Sequence, residues 1–280
     1  MKMECVYQKM KKPNFKSILG MAAIVSLMIS FTACDNEPVN ERPDLPPIES
    51  MLMDFSDFEG QPGGTKASEI GYGNFTHSYF SVLYWNLIST VTMTLPVAAY
   101  GHALQQEAEY VGDQTWEWSF DFKYEGVDYS AVLTGARINN EKFSAEMKIG
   151  LAALPGQGTK WFDGEVRYDH TQATWNLYKE GTLKVLEAEW HKNHETEAGD
   201  LRYTYLEPEQ EETGSFIMFK YMPQEVYDAA YTISLAAGAT EIEWNISSKE
   251  GRVKDQVKFG DTNWHCWDSH SNGLADKDCQ

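Results

Sequence analysis

Two acidic side chains, Asp163 and Glu165, come closest to a catalytic arrangement in this chain of 280 residues. They alternate along a segment with the pattern of a strand, so both would point to one face about 7 Å apart. Paired carboxylates at such a distance can act as acid and base on a glycosidic bond. Phe162, Val166 and Tyr168 form the apolar face of the same segment, which places both acids in solvent. The sequence therefore favours a solvated strand face, and a glycan-acting hydrolase using Asp163 and Glu165 is kept as the alternative.

Cysteine and histidine side chains cluster near the end of the chain. Cys266 and Cys279 can form a disulfide in an oxidising compartment and so close the last loop. His265, His270 and Cys266 could in principle bind zinc, but their spacing matches no common zinc site, and an oxidised cysteine pair offers no thiolate. We therefore predict a disulfide between Cys266 and Cys279 and no bound metal.

Motifs for phosphate binding or nucleophilic catalysis are absent from the sequence. It contains no Gly-rich phosphate loop after a predicted strand and no GxSxG motif. We therefore expect no cofactor. A non-catalytic protein is the default expectation, and enzyme activity is left open.

Aromatic residues make up 13% of the chain. Most lie on the apolar faces of predicted strands, where they would pack the core. In a barrel, some of them can instead line a cavity for a small ligand. The candidates for ligand binding are five tryptophans on or beside predicted strands: Trp161, Trp175, Trp190, Trp244 and Trp264.

Antiparallel strands would position these side chains. From Trp116 to Tyr124 every second residue is aromatic, which is typical of a strand with one buried face and one wet face. Similar short segments follow up to Phe259, separated by tight turns such as Glu180-Gly181. Turns this short pair neighbours in sequence, so we predict an all-β, up-and-down meander of about 10 strands. The pattern resembles that of a lipocalin-like barrel, in which closure removes the sheet edges.

An apolar segment precedes the strands. Residues 80–104 contain no Asp, Glu, Lys or Arg, which predicts a buried N-terminal helix, kinked or interrupted at Pro96. The length also permits a membrane span, although Asn86 and Thr92 weigh against one. Val91 lies in the middle of the segment. We therefore expect Val91 to be buried and an Asp in its place to unfold the domain.

The N-terminus has the order of an export signal. Lysines precede an apolar run from Ile18 to Ile29, and Phe31-Thr32-Ala33-Cys34 follows it. This order resembles the lipobox signal of bacterial lipoproteins. The resemblance implies that residues 1–33 are a cleaved signal peptide and that Cys34 carries a lipid. As an uncleaved helix, the apolar run would be too short to span about 30 Å of hydrocarbon.

The segment after Cys34 is acidic and rich in Pro and Gly. Asp35-Asn36-Glu37 resembles the short acidic signal that sends some lipoproteins to the cell surface. Residues 34–66 show little periodicity and predict a flexible acidic tether, which leaves residues 67–280 as the folded domain. We expect an outer-membrane lipoprotein on either the periplasmic or the cell-surface side.

The charge of the processed chain restricts its partners. Without residues 1–33 it would keep 18 basic and 41 acidic residues, a formal charge of −23. Such a surface repels phosphate backbones, so nucleic acid is not an expected partner, and membrane attachment should come from the lipid. We expect a non-catalytic binding or scaffolding module for an apolar or glycan ligand or for an envelope protein.

Overall fold

The computed structural model describes residues 42–58, 73–270 and 273–279. The predicted signal peptide and Cys34 lie outside the described residues. The long helix α1 spans Asn74–Ala103, and two 3-10 turns, Ile48–Ser50 and Ser56–Phe58, precede it. The short helix α2 spans Gln256–Phe259. The strands are β1 Glu109–Gly112, β2 Thr115–Tyr124, β3 Val127–Arg137, β4 Lys142–Leu151, β5 Thr159–Arg167, β6 Gln172–Lys179, β7 Leu183–Lys192, β8 Gly199–Tyr205, β9 Phe216–Tyr221, β10 Ala229–Leu235, β11 Gly238–Trp244, β12 Gly251–Asp255, β13 His265–His270 and β14 Gly273–Lys277.

All the strands belong to one antiparallel sheet whose spatial order, β1 to β14, is the order of the chain. The prediction of an all-β, up-and-down meander with one long helix is confirmed. Two finer predictions are wrong: within the part of the chain that the structure describes, the sheet has 14 strands rather than about 10, and it is not a closed barrel. Among the described residues, β1 pairs with β2 and β14 pairs with β13, and the two outermost strands do not pair with each other.

One face of the sheet forms the core. In β4, for example, Phe143, Ala145, Met147 and Ile149 are buried, and the residues between them are at least partly exposed. Successive side chains of a strand point to opposite faces, so this alternation gives the sheet an apolar inner face and a polar outer face. The inner face packs against α1 and against residues from the segment 42–58.

The helix α1 lies between the two ends of the sheet. It has 30 residues, which corresponds to a length of about 45 Å. Near its start, His77 Nε2 lies 2.8 Å from Asp255 Oδ2 at the end of β12. Near its end, the ring of His102 contacts Phe122 of β2. The helix therefore contacts strands near both ends of the sheet, β2 and β12 to β14, as well as β4 and β6 between them.

The helix is buried on one side only. It continues through Pro96 without an interruption, contrary to one of the two predicted alternatives. Its length and composition would allow it to cross a membrane, but 33% of its most apolar window is buried within the protein. Val91 is 88% exposed, so the prediction that this residue is buried is wrong. Because no residue of α1 is Asp, Glu, Lys or Arg, its sequence does not show which face of the helix packs against the sheet.

Residues 42–58, which we call the strap, are packed against the inner face of the sheet. Met51, Met53, Phe55 and Phe58 of the strap are buried in the main hydrophobic core. The predicted flexible tether, residues 34–66, therefore contains a buried segment. The rest of that range lies outside the described residues.

Tyrosine hydroxyls hold the strap in place. The hydroxyl of Tyr203 donates to the carbonyl oxygen of Met51 at 2.7 Å and accepts from the backbone N–H of Met53 at 2.6 Å. The hydroxyls of Tyr100 and Tyr231 donate to other strap carbonyl groups, each at 2.7 Å. Burial raises the pKa of Tyr203, Tyr100 and Tyr231, so these hydroxyls stay protonated and can donate.

Candidate functional site

The two candidate catalytic carboxylates lie on the outer face of β5, opposite the buried Phe162 and Val166. Asp163 Oδ2 accepts hydrogen bonds from Lys160 Nζ at 2.7 Å and from the Tyr178 hydroxyl at 2.9 Å. Glu165 pairs with a different lysine and is more than half exposed.

These contacts do not prepare Asp163 to act as an acid. Burial alone would raise the pKa of Asp163, but the hydrogen bonds from Lys160, Asn176 and Tyr178 hold it below its ordinary value. A glycosidase needs one carboxyl group whose raised pKa keeps it protonated until it donates to the leaving group. The geometry around Asp163 stabilises the ionised form instead, so it does not favour the hydrolase alternative.

The cysteines near the end of the chain form the predicted disulfide. The Cα atoms of Cys266 and Cys279 are 5.3 Å apart, and the bond closes a loop with a sequence separation of 13. Closing a loop of this size stabilises the folded state by about 3 kcal/mol in the chain-entropy model. Across the described ranges, no group of three His, Cys, Asp or Glu side chains is arranged to hold a metal ion. His265 instead pairs with Asp261 and stacks on Phe259.

The five candidate tryptophans lie in different environments. Trp175 is fully buried against Tyr100, and Trp244 is buried next to Tyr231, so neither presents a surface to a ligand. Two others, Trp161 and Trp264, are half-buried. Trp264 lines a polar hollow beside the disulfide and contacts the guanidinium group of an arginine. The fifth, Trp190, lines a mostly apolar cleft.

This cleft, which we call the strap cleft, lies between the strap and strands β7 to β9. Its volume is about 510 Å³. Leu52 and Met53 of the strap form one wall, and Trp190, Phe219 and Tyr221 of the sheet contribute to the other. A cleft of this size with mostly apolar walls is typical of a site for a small organic ligand.

Polar side chains surround the strap cleft, and several of them already have partners within the protein. Among the lining residues, His170 Nε2 lies 2.9 Å from the carbonyl oxygen of Asp44, and His194 Nε2 lies 3.0 Å from the carbonyl oxygen of Asp169. Lys192 pairs with Glu197 at 2.8 Å. These contacts fix the rim and reduce the number of polar groups that it can offer to a ligand.

Sequence reasoning selected one residue of the strap cleft, Trp190, and missed the strap wall and most of the sheet wall. The strap wall has no clear signal in the sequence, because Leu52 is apolar like Met51 and Met53 on either side of it. In the structure Met51, Met53 and Phe55 are buried, and Leu52 faces the cleft. Only the folded chain brings Leu52 close to Phe219 and Tyr221.

Similarity to known proteins assigns no function to this geometry. No protein-family model matches the chain. No curated protein and no solved structure matches it either.

Proposed function

We propose that this protein is a non-catalytic, lipid-anchored binding protein of the cell envelope that holds a small apolar or amphiphilic ligand in the strap cleft. The observation that carries the proposal is the mostly apolar cleft of about 510 Å³ beside the buried Trp190. Burial of apolar surface would supply the affinity, at about 25 cal/mol for each Å² removed from water. No acid and base pair is needed for such a role.

The partnered rim favours an apolar ligand over a glycan. A glycan needs several protein groups that are free to exchange hydrogen bonds with its hydroxyl groups, because unpaired polar groups are costly on burial. Around the strap cleft, His170, His194 and Lys192 are already bound within the protein. A ligand with an apolar body and one polar end would leave fewer of its own groups unsatisfied.

Titration with two ligand classes tests this proposal. We expect lauric acid to bind the chain carrying Cys34→Ala, measured by calorimetry and by tryptophan fluorescence, and a tetrasaccharide not to bind. Leu52 is 41% exposed and faces the cleft, so Leu52→Asp should weaken lauric acid binding at least about tenfold, or roughly 1.4 kcal/mol. The reason is that the apolar chain would then meet a charge.

Leu154 provides the matched control, because it is similarly exposed, at 46%, and is not among the lining residues of the cleft. Leu154→Asp should leave the affinity unchanged. The proposal would be contradicted if both variants lost the same affinity. It would also be contradicted if the protein without either substitution did not bind lauric acid. Binding of the tetrasaccharide alone would replace the apolar ligand with a glycan.

The proposed lipid anchor would keep the domain near the membrane. Cys34 is separated from Arg42, the first described residue, by a stretch of eight peptide units that can extend at most about 28 Å. Pro47 and Leu52 of the strap, which line the cleft, follow Cys34 by only 13 and 18 residues. An anchored chain would therefore connect the strap cleft to the membrane through a short linker.

Metabolic labelling tests the anchor. Labelled palmitate should enter the wild-type chain in a bacterial host and should be absent from a Cys34→Ala variant, because the lipid would be attached at this cysteine alone. Cys5→Ala is the control and should keep the full label. Equal labelling of the wild type and the Cys34→Ala variant would exclude the anchor without affecting the binding proposal.

A further inference from the structure

The strap cleft holds an excess of negative charge. Four acidic side chains and one lysine line it: Glu49, Asp54, Glu197, Asp200 and Lys192. Lys192 and Glu197 neutralise each other, because Lys192 Nζ lies 2.8 Å from Glu197 Oε2. With histidine taken as neutral, three carboxylates remain in a cleft whose walls are otherwise mostly apolar. The charge of the lining therefore distinguishes a cationic ligand from an anionic one.

The two carboxylates of the strap are available to a ligand. Within the part of the chain that the structure describes, Glu49 has no hydrogen-bond or ion-pair partner. Asp54 Oδ1 accepts from the backbone N–H of Ser56 at 2.8 Å, and Asp54 Oδ2 has no partner in the same ranges. The third carboxylate, Asp200, already lies 2.9 Å from His191 Nδ1. A cation that enters the cleft would therefore meet the two strap carboxylates without displacing an ion-pair partner of either.

The positive groups of the strap cleft, by contrast, are already engaged. Lys192 Nζ donates to the carbonyl oxygen of Glu197 at 3.1 Å in addition to its contact with the carboxylate. His170 and His194 each place Nε2 beside a backbone carbonyl oxygen. A carbonyl oxygen can only accept, so each Nε2 donates its hydrogen within the protein. Neither these histidines nor the lysine thus offers an unused Nε2 or Nζ contact to an anionic ligand.

Aromatic rings on the sheet wall favour a ligand of the same charge. Trp190, Phe219 and Tyr221 line the cleft. The face of an aromatic ring attracts an ammonium or guanidinium group within about 6 Å of the ring centre, and aromatic side chains recognise quaternary ammonium ligands in this way. The same kind of contact occurs on the outer face of this sheet, where Lys160 Nζ lies 3.9 Å from the centre of the Tyr178 ring.

We propose that the strap cleft selects a ligand with an apolar body and a positively charged end, such as an alkyl ammonium compound. The apolar body contacts Leu52 and Trp190, and the cation lies near the carboxylates of Glu49 and Asp54. The inference rests on the proposed function in taking the strap cleft as the binding site, and it adds the charge of the ligand. An exposed ion pair changes an affinity by up to about fivefold. Because two carboxylates attract a cation and repel an anion, the ratio of the two affinities should reach at least about tenfold.

Two ligands with the same alkyl chain and opposite charge test the inference. Dodecyltrimethylammonium and laurate are titrated separately into the Cys34→Ala chain, each below the concentration at which it forms micelles, and binding is measured by calorimetry. We expect both to bind, and the ammonium compound to bind at least about tenfold more tightly at low ionic strength. Raising the ionic strength from about 0.01 M to about 0.1 M should reduce this ratio, because the Debye length shortens from about 30 Å to about 10 Å.

A double variant, Glu49→Gln with Asp54→Asn, removes both strap carboxylates and keeps an oxygen acceptor for the N–H of Ser56. It should lower the ratio at least about fivefold, by weakening the binding of the ammonium compound and strengthening that of laurate. The matched control is Glu107→Gln with Asp121→Asn, because these two acids are also exposed and do not line the cleft. The control removes the same charge from the protein and should leave the ratio unchanged.

The outcomes separate the selection of a cation from the proposed function. Equal affinities of the two ligands, or tighter binding of laurate, would overturn the selection and leave an apolar cleft. An equal fall of the ratio in both double variants would also overturn it, because the overall charge of the protein would then attract the cation. Binding of the ammonium compound alone, weakened by the strap substitutions, would support the selection but contradict the apolar ligand of the proposed function. Failure of both ligands to bind would contradict both proposals.

Discussion

Replacing Met93 with Asp is expected to unfold the protein, whereas the same substitution at Val91 is expected to change its stability by less than about 1 kcal/mol. Met93 is 1% exposed and faces the core, and Val91 is 88% exposed on the opposite side of α1. An unpaired buried charge costs several kcal/mol, a large part of the roughly 5–15 kcal/mol that holds a domain folded. An exposed helical site loses only a few tenths through helix propensity.

Urea denaturation followed by circular dichroism measures both variants. Thr94→Asp, at another exposed position of α1, controls for the introduction of a negative charge into the helix. A Val91→Asp variant that unfolds as readily as Met93→Asp would contradict the orientation of α1 described above.

Removing one hydroxyl group in Tyr203→Phe is expected to lower the free energy of unfolding by about 2–6 kcal/mol. The hydroxyl is buried and bonds both to the carbonyl oxygen of Met51 and to the N–H of Met53. The phenylalanine would leave two buried backbone groups without partners, each at a cost of about 1–3 kcal/mol. The strap should also become more accessible to protease, because its central attachment would be lost.

Tyr178→Phe is the matched control for this substitution. The Tyr178 hydroxyl also makes a hydrogen bond, to Asp163 at 2.9 Å, but it lies on the half-exposed outer face, where water can replace it. Its loss should cost less than about 1 kcal/mol. If both variants lost the same small amount and limited proteolysis of the strap were unchanged, the hydroxyl of Tyr203 would not be what holds the strap.

The strands were predictable from sequence because their faces differ so clearly. In β2 the alternation of aromatic and polar residues from Trp116 to Tyr124 marks a strand with one buried face, and the structure confirms it. Closure of the sheet was not predictable, because it depends on what fills the inner face. Here that is α1 together with the strap, and neither has a sequence pattern that reveals its neighbours.

The orientation of α1 and the role of the strap were hidden for different reasons. In a helix without charges, an apolar residue such as Val91 looks the same whether it faces the core or solvent. In the strap, proline and acidic residues suggested a tether, and the apolar Leu52 between Met51 and Met53 conceals the alternation of buried and exposed positions that the structure shows.

The strap cleft could be predicted only in part. Trp175 and Trp190 lie on the same face of neighbouring strands, and the sequence offered both equally as candidates for ligand binding. Which of them borders a cleft depends on the element above it: Tyr100 of α1 covers Trp175, whereas the strap leaves the space beside Trp190 open. Such information comes from residues 75 or more positions away along the chain, which no local pattern contains.

The attachment of the strap also sets an order of events during synthesis. Met51 leaves the ribosome early, but Tyr203, which holds it, follows 152 residues later. At about 5–20 residues per second, the strap must wait roughly 8–30 s before its partner exists. A growing or translocating chain therefore makes β2 to β7 before the hydroxyl that fixes Met51 exists, so a newborn molecule passes through a stage in which these strands are present and the strap is not yet attached.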